Sequence, residues 1–553
     1  EIWDGFWNTG ETISHNQSFS LSYDLPFKLF PLIDFISSNY NYNGDFNWER
    51  GSDAMAKVKD ETGNVLGQVN TVQNANTHSF NSSLNMSKLY RNLGLKKKKK
   101  PKTIGDKILN SLIGLSTGIS RFKVSYSENN GQVLPGYTQT LGFLGTSKPS
   151  LGFVFGSQAD IRYEAAKNGW LTSFPSFNEQ YTKINNTKFD FAAEISWFED
   201  FKIDINANRV YSENFSENFK VIDNQYNSLN PYSSGNFAIS TILINTAFSG
   251  SDQYNSETFE KFQNNRLIIA NRLALISGNS NGQIDEFGFP QGYGKNNQAV
   301  LIPSFIAAYS GKDANSISLG AIKNTPLPNW SIQFTGLINF SFIKERFKRF
   351  SLSHSYRSSY TLNSFKSNLQ YDPSNNLLTD NSGNFLNEIL FSNINLVEQF
   401  NPLIKLDMEL KNSMRLVMQL KRDRALSLSL DNNLLTETKG MDYAIGLGYR
   451  VKDLKFRSNV RGRQTVSSGD LNLKADLTLR DNITIIRNLD ILDNKVTAGQ
   501  SVWSLKLSAD YALSKSFNAV FFYDHLFSEF AISTAFPQTT IRSGITLRYN
   551  FGE

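Results

Sequence analysis

The sequence predicts an all-β fold, a transmembrane antiparallel β-barrel segment with long polar loops, and three observations predict it. Apolar and polar residues alternate with period two over runs of about ten to thirteen residues. Aromatic residues are abundant and charged ones scarce. No apolar run is long enough for a membrane helix.

The chain has 553 residues, with 36 Gly, 14 Pro, 43 Phe and 22 Tyr; aromatics make up 13% and charged residues 19%, where about a quarter charged is usual. The absence of Cys excludes a disulfide scaffold, a Cys-ligated zinc or iron–sulfur centre and a thiol nucleophile. A mean hydropathy of −0.36, with no uninterrupted apolar run of about 18 residues, excludes ordinary transmembrane helices. Lys+Arg 56 against Asp+Glu 50 leaves a formal charge of +6. That mild balance does not mark a nucleic-acid binder.

The chain opens Glu1-Ile2-Trp3-Asp4, without Met or a basic-then-apolar signal segment, which reads as a processed product or a piece of a longer protein. Phe19, Leu21, Tyr23 and Leu25 alternate, so strands are expected from the outset. Residues 50–120 read as an insert: 50–90 are rich in Asn, Ser and Thr and suggest a loop or short hairpin. Lys96, Lys97, Lys98, Lys99 and Lys100 then form the one local charge concentration, with no aromatic among them. A solvated loop is the first reading of this run, and contact with an acidic partner or phospholipid head group the second. Apolar pairs one turn apart in Asp106 to Ile113 predict a short helix after it.

Phe189, Phe191, Ala193, Ile195 and Trp197, then Phe201, Ile203, Ile205 and Ala207 across Glu199-Asp200, predict a long hairpin with one apolar face. Residues 212–310 read as a long irregular insert, with a helix at Ser256 to Arg272, and residues 330–553 as regular barrel strands to the C-terminus. The even positions of Trp330 to Phe342 are apolar. Leu471, Leu473, Ala475, Leu477 and Leu479 alternate with Asn472, Lys474, Asp476, Thr478 and Arg480. Trp503, Leu505, Leu507, Ala509 and Tyr511 repeat the scheme against Lys506 and Asp510.

A soluble sandwich also alternates, but its strands run about 5–6 residues, whereas tilted membrane strands need about 9–11. Short turns are expected at Asn412-Ser413, Lys452-Asp453, Asp481-Asn482 and Ser514-Lys515, with longer links at 431–441, 464–469, 491–501 and 525–538. That gives nine strands over 403–553, and roughly 20–26 strands for the whole chain, with short turns on one side and long loops on the other. The last strand then ends on the short-turn side, so the C-terminus is expected in the periplasm of an outer-membrane protein. Lys474, Asp476, Arg480, Lys506 and Asp510 are the expected lumen-facing residues. Tyr449, Tyr511, Phe517 and Tyr549 suit the aromatic girdles. Ile541, Ile545, Leu547, Tyr549 and Phe551 form an aromatic-rich final strand like the signal by which outer-membrane barrels are recognised for insertion, although Gly552 and Glu553 follow it.

Catalytic chemistry finds little support. His15, His78, His354 and His525 are never at metal-ligand spacing. Gly292-Tyr293-Gly294-Lys295 lacks the first Gly and the final Ser/Thr of a phosphate loop, because Phe289 and Asn296 stand there. Asp380 to Asn384 reads as an Asn/Gly turn, and Glu199-Asp200 as a solvated hairpin apex. No enzyme activity, cofactor or metal is expected.

Six segments in order resemble a known family: Tyr126–Tyr137 (YSENNGQVLPGY), Gly152–Gln158 (GFVFGSQ), Ile302–Gly311 (IPSFIAAYSG), Tyr356–Phe365 (YRSSYTLNSF), Gly469–Asp481 (GDLNLKADLTLRD) and the ending from Ala531–Pro537 (AISTAFP) to Phe551. They resemble the SprA family, also called Sov, the outer-membrane translocon of type IX secretion, which is linked to gliding motility. The resemblance implies that the chain is the C-terminal portion of one very large single-chain barrel, with a water-filled pore for folded cargo and a lateral opening. It implies as partners secreted cargo proteins, a PorV-type barrel, a plug protein at the opening, outer-membrane lipid and the remainder of the same long chain. The competing readings are a TonB-dependent nutrient transporter barrel and a soluble β-sandwich adhesin.

Overall fold

The computed structural model describes residues 11–95, 113, 117–141, 149–198, 200–278, 282–460, 463–491, 493–512, 517–532, 536–549 and 551. One antiparallel sheet of seventeen strands organises them: β1 Ser14–Leu25, β2 Ile36–Arg50, β3 Asn70–Asn85, β4 Ile119–Tyr137, β5 Gln180–Phe198, β6 Phe201–Ile222, β7 Gln225–Ser240, β8 Asn329–Phe334, β9 Phe347–Ser367, β10 Ile389–Phe391, β11 Asn393–Leu410, β12 Met414–Ser429, β13 Leu434–Val460, β14 Arg463–Asn488, β15 Lys495–Ala512, β16 Phe517–Phe530 and β17 Gln538–Tyr549. The helices are α1 Asp53–Ala56, α2 Met86–Asn92, α3 Leu151–Val154, α4 Arg162–Lys167, α5 Glu257–Ile276, α6 Gln298–Ser310 and α7 Ser341–Lys344.

Each strand pairs with its neighbour in sequence, with two exceptions. β7 and β8 lie end to end between β6 and β9, so they fill one position in the wall. The short β10 pairs with the end of β9 beyond β11 and continues the line of β11. Fifteen positions therefore make up the wall. Because every pairing is antiparallel, β1 and β17, the first and last of the fifteen, run in the same direction, and among the described residues no ladder joins them. They cannot pair antiparallel with each other.

Residues paired across a ladder share a face, which lets one face be followed strand by strand. From Ile545 of β17 the row passes to Phe521, Ala509, Leu473, Tyr449 and Met414. Farther along, Leu406 meets Leu352, and Leu352 meets Phe334. Phe334 meets Phe201, Ile203 meets Ile195, Ala193 meets Phe122, and Phe122 meets Leu84. The belt is open to its surroundings: Leu473 is 38% exposed, Leu477 45%, Phe521 46% and Ile545 70%. A soluble sandwich would bury these side chains against a second sheet, and none is present among the described residues, so the adhesin reading falls. On β14 the belt runs from Leu471 to Leu479, about 27 Å of strand. With a tilt near 40° that spans about 20 Å, close to the roughly 25 Å apolar band of a membrane barrel.

Several expected boundaries move. Over residues 403–553 there are seven strands, not nine. Lys452-Asp453 and Asp481-Asn482 are not turns: Asp453 sits in a bulge of β13 at φ 52, and Asp481 and Asn482 pair with Met441 and Gly440 inside β14. Their polarity belongs to long strands that run beyond the apolar belt. The expected link 464–469 lies wholly within β14, and parts of 431–441, 491–501 and 525–538 are likewise strand. β11 and β12 join through the short connection 411–413 at one end of the wall, the end at which β13 and β15 also finish. Asn412-Ser413 turns as expected, with Ser413 at φ 68, whereas Ser514-Lys515 lies outside the described residues. β17 ends on that same short-turn side.

Residues 50–90, read as a loop or short hairpin, include β3 over 70–85, which pairs antiparallel with β2; Thr71, Gln73, Thr77, Ser79, Asn81 and Ser83 lie on its polar face, whereas Asn70, Asn74, Asn76 and Ser82 share the face of Leu84. The alternation of Trp330 to Phe342 is strand only to Phe334, because the chain turns at Gly336, where a Cβ would lie 2.6 Å from the Phe334 ring. Residues 212–240 are strand, so the irregular insert is 241–328. Its expected helix is present as α5, capped by Ser256, whose side chain accepts from the Phe259 N–H at 3.4 Å, with Glu257 and Glu260 in the first turn. The expected 189–207 hairpin and the first strand at Phe19 to Leu25 are present as β5–β6 and β1. The expected helix over Asp106 to Ile113 and the lysine run lie outside the described residues, Ile113 excepted.

Candidate functional site

The wall presents two regions with chemistry: the polar face opposite the belt, and the far half of the belt face, where two inserts dock.

On the polar face β13 to β17 carry charges that alternate in sign from strand to strand. Asp476 stands opposite Lys506, Lys506 opposite Asp524, and Asp524 opposite Arg542. Two rows along, Asp442 lies between Lys421 and Arg480 and meets the Arg480 guanidinium at 3.3 Å. Asp407 of β11 accepts from Arg349 at 3.1 Å and from Arg415 at 2.8 Å. The expected lumen residues Lys474, Asp476, Arg480, Lys506 and Asp510 thus all fall on this one face, with Lys474 opposite Ser508 and Asp510 opposite Asn472. The face is not purely polar, since Phe522 projects between Ser508 and Gly544.

The β1 to β4 part of the same face is rich in hydroxyls and amides, with Asp24, Asp45, Glu49, Arg121 and Lys123 among them. Ser18 donates to Asp45 at 2.7 Å, Ser20 to Asn43 at 2.7 Å, Thr77 to Asn129 at 2.7 Å and Ser125 to Asn81 at 2.6 Å. Hydroxyls here find amide or carboxylate partners on the neighbouring strand, which leaves a wettable surface.

The expected assembly-signal residues Ile541, Ile545, Leu547 and Tyr549 share the belt face of β17 and are exposed. Phe551 lies past the strand, against Tyr549 at 4.7 Å between ring centroids. Tyr511, Phe517 and Tyr549 lie within two residues of the short-turn ends of β15, β16 and β17, whereas Tyr449 lies eleven residues before the end of β13. The histidines are scattered: His78 meets the Tyr40 hydroxyl at 2.8 Å, His354 the Leu403 carbonyl at 2.7 Å, and His525 packs at a tilt against Trp503. Asp200 is a structural turn residue that accepts from Asn339 at 2.8 Å. Asp380 accepts from the N–H groups of Ser382 and Asn384, as an Asn/Gly turn requires.

Beyond the belt, the same face is covered. Helix α6, with every residue from Val300 to Ser310 buried, packs with α5 on Phe237, Tyr360, Leu362, Ile394, Leu396 and Leu426 of the wall. Two buried ion pairs fasten the start of this insert. Glu398 of β11 meets Arg424 of β12 at 3.0 Å, and Arg424 donates to the Thr246 carbonyl at 2.8 Å. The Tyr356 hydroxyl donates to Glu398 and accepts the Leu243 N–H, both at 2.8 Å. Glu437 of β13 meets Arg487 of β14 at 3.1 Å, and Arg487 donates to the Ser251 hydroxyl at 2.8 Å and the Asp252 carbonyl at 2.7 Å.

At the mid-strand break the backbone is satisfied by side chains. The Ser240 hydroxyl accepts the Asn208 N–H of β6 at 3.1 Å, and the Asn329 amide oxygen accepts the Ser358 N–H of β9 at 2.7 Å. A second insert, 138–179, docks over β2 to β4. Asn74 donates to the carbonyls of Phe153 at 2.9 Å and Ser157 at 2.7 Å, and Asn76 to that of Gly156 at 2.8 Å. From this insert Arg162 reaches the buried Glu217 of β6. The sequence reading missed these fasteners. A signal for them exists: Glu398, Arg424, Glu437 and Arg487 interrupt an otherwise apolar parity, which marks wall that is covered.

Fold and faces together define a membrane-spanning β-barrel wall, apolar on one side and wet on the other. No family model and no curated protein matches the chain. Among solved structures it is similar, over 94% of its length in each case, to the outer membrane transporter YddB from Escherichia coli (8% identity, 55% of that chain, TM-score 0.29). It is likewise similar to the siderophore receptor PiuA from Acinetobacter baumannii (9%, 63% of that chain, 0.25) and to the RagAB peptide importer (8%, 50% of that chain, 0.26). The chain spans about half to two thirds of the length of those chains. Likeness this distant carries no function across.

Proposed function

We propose that the chain is wall of an outer-membrane conduit that exports folded proteins, the translocon of type IX secretion. One observation carries the conduit reading: a polar, internally paired face runs the length of the wall opposite a continuous apolar belt. Fifteen positions already approach a 16-stranded porin, and antiparallel closure would take an odd number of further strands, so the pore is wide. A wide, mixed-sign, hydroxyl-rich lining suits a large cargo that must not adhere.

The finer reading draws on the family resemblance, and its segments support it by meeting in space. Residues of Tyr126–Tyr137 and Gly152–Gln158 share one core with Phe46 and Trp48, and residues of Ile302–Gly311 and Tyr356–Phe365 share the other. The expected partners are secreted cargo, a PorV-type barrel, a plug protein, lipid and the rest of the chain. In this arrangement the short-turn end and the C-terminus face the periplasm. Depletion in the parent bacterium tests the function: secreted proteins accumulate in the periplasm if the reading holds. Intact secretion with loss of nutrient uptake would replace it by a nutrient transporter.

A further inference from the structure

Where the chain leaves β7 and returns to β8, a cavity of about 580 Å³ lies between wall and insert. Ile239, Leu243, Ile306, Ile317, Tyr360 and Leu396 give it an apolar floor, and Lys312 and Lys323 stand at its rim. Lys323 donates to the carbonyls of Ser318 at 2.8 Å and Gly320 at 2.7 Å, which leaves one of its three donors free. Among the described residues no carboxylate forms an ion pair with either lysine. Asp313, on the same rim, accepts from the backbone and side chain of Asn315 at 3.0 Å. Burial and then the charge of Lys312 lower the Lys323 ammonium to about 8.

The loop that carries these lysines is held firmly from three elements. Arg209 of β6 donates to the Lys323 carbonyl at 3.0 Å, the Tyr360 hydroxyl of β9 to Ala321 at 2.9 Å, and Arg272 of α5 to Ala314 at 2.6 Å and Ile317 at 3.0 Å. The site is therefore preformed, with two lysines and one carboxylate, Asp313, in its lining, and Asp313 is engaged by Asn315 rather than by either lysine.

Its height identifies the ligand. Trp330 stacks on Tyr356, and Phe400 packs at a tilt against Tyr356, where the belt ends. Tyr360 is four residues farther along β9, about 13 Å of strand or about 10 Å of vertical rise, which is the depth of a head-group layer. We infer that this cavity binds a phosphate-bearing head group of a membrane lipid, with Lys312 and Lys323 on the phosphate and the first carbons of the lipid on the apolar floor. The inference rests on the membrane reading above.

Native mass spectrometry of the purified protein in detergent, titrated with short-chain phosphatidic acid, tests it. One lipid should bind, and Lys312→Gln and Lys323→Gln should each weaken it about tenfold, as expected for one charge-assisted contact. Inorganic phosphate should not compete at equal concentration. Unchanged binding in both variants would overturn the site, and so would equal binding of neutral diacylglycerol. Equally tight inorganic phosphate would overturn the lipid assignment. Lys312 is exposed, so its variant folds, and heat-modifiable migration of both variants reports the barrel independently of this site.

Discussion

Glu398 and Arg424 stand directly opposite each other on β11 and β12 and meet at 3.0 Å with 2% and 5% of their side chains exposed. They lie on the face that, three rows nearer the short-turn end, carries Leu406 and Met418 toward lipid. The same face thus serves lipid in one half and an insert in the other.

Removing one member of that pair leaves an uncompensated buried charge, which costs about 3–5 kcal/mol. Arg424→Met should therefore loosen the start of the insert while the wall persists. The expected outcome is faster protease cleavage within 241–328, with unchanged heat-modifiable migration. Glu437→Ala should act similarly through Arg487.

Leu477→Arg and Leu473→Arg should impair assembly, at about 2–4 kcal/mol for a charge near the midplane of the lipid face. Asn472→Arg and Thr478→Arg, one residue away on the wet face, should assemble normally. The folded fraction recovered in membranes reads the difference, and equal effects at both parities would reverse the assignment of faces.

Gly156 has φ +92, and a Cβ there would lie 2.9 Å from the Ala75 carbonyl and 2.8 Å from the Tyr42 hydroxyl. Gly156→Ala combines backbone strain with overlap, together about 1–3 kcal/mol. Insert 138–179 should then detach from Asn74 and Asn76 and become protease-sensitive. Gly44→Ala should do the same, because its Cβ would overlap the Phe155 carbonyl.

Asp476→Lys would set two lysines opposite each other in the lumen. The stability cost should be small, within about 1 kcal/mol for exposed charges, while bilayer conductance through the assembled barrel shifts toward anions. The exchange Asp476→Lys with Lys506→Asp should restore it.

Lys323 gives a pH dependence with a definite sign. Its ammonium is lowered from 10.5 to about 8, so between these values the unfolded chain binds the proton and the folded chain does not. Stability from this group therefore rises with pH through that window. Head-group binding needs the ammonium and should run the other way, weaker above pH 8 than below. Titrated binding of phosphatidic acid from pH 7 to pH 9 checks it.

Much of the wall was legible because period two is a local property. Leu471 to Leu479 and Trp503 to Tyr511 declare their faces without reference to any partner. Strand ends were less legible: Asp453 and Asp481 look like turn residues, yet Asp453 sits in a bulge within β13, its N–H held by Asp470, and Asp481 pairs with Met441 in the ladder. Of the two inserts that dock on the wall, the one within 212–310 was visible as an irregular stretch and 138–179 was not, and nothing local says that Asn74 meets Phe153 or that Arg487 meets Ser251.

The amino-acid order alone determined the all-β class and the two chemistries of the regular strands, since each follows from alternation within a few residues. Tertiary structure decided that β7 and β8 share one position, that α5 and α6 cover half of the belt face, and that four buried charges fasten them there. Those are contacts between residues up to 236 positions apart, where the register of the ladders sets the partner and local pattern carries no trace of it.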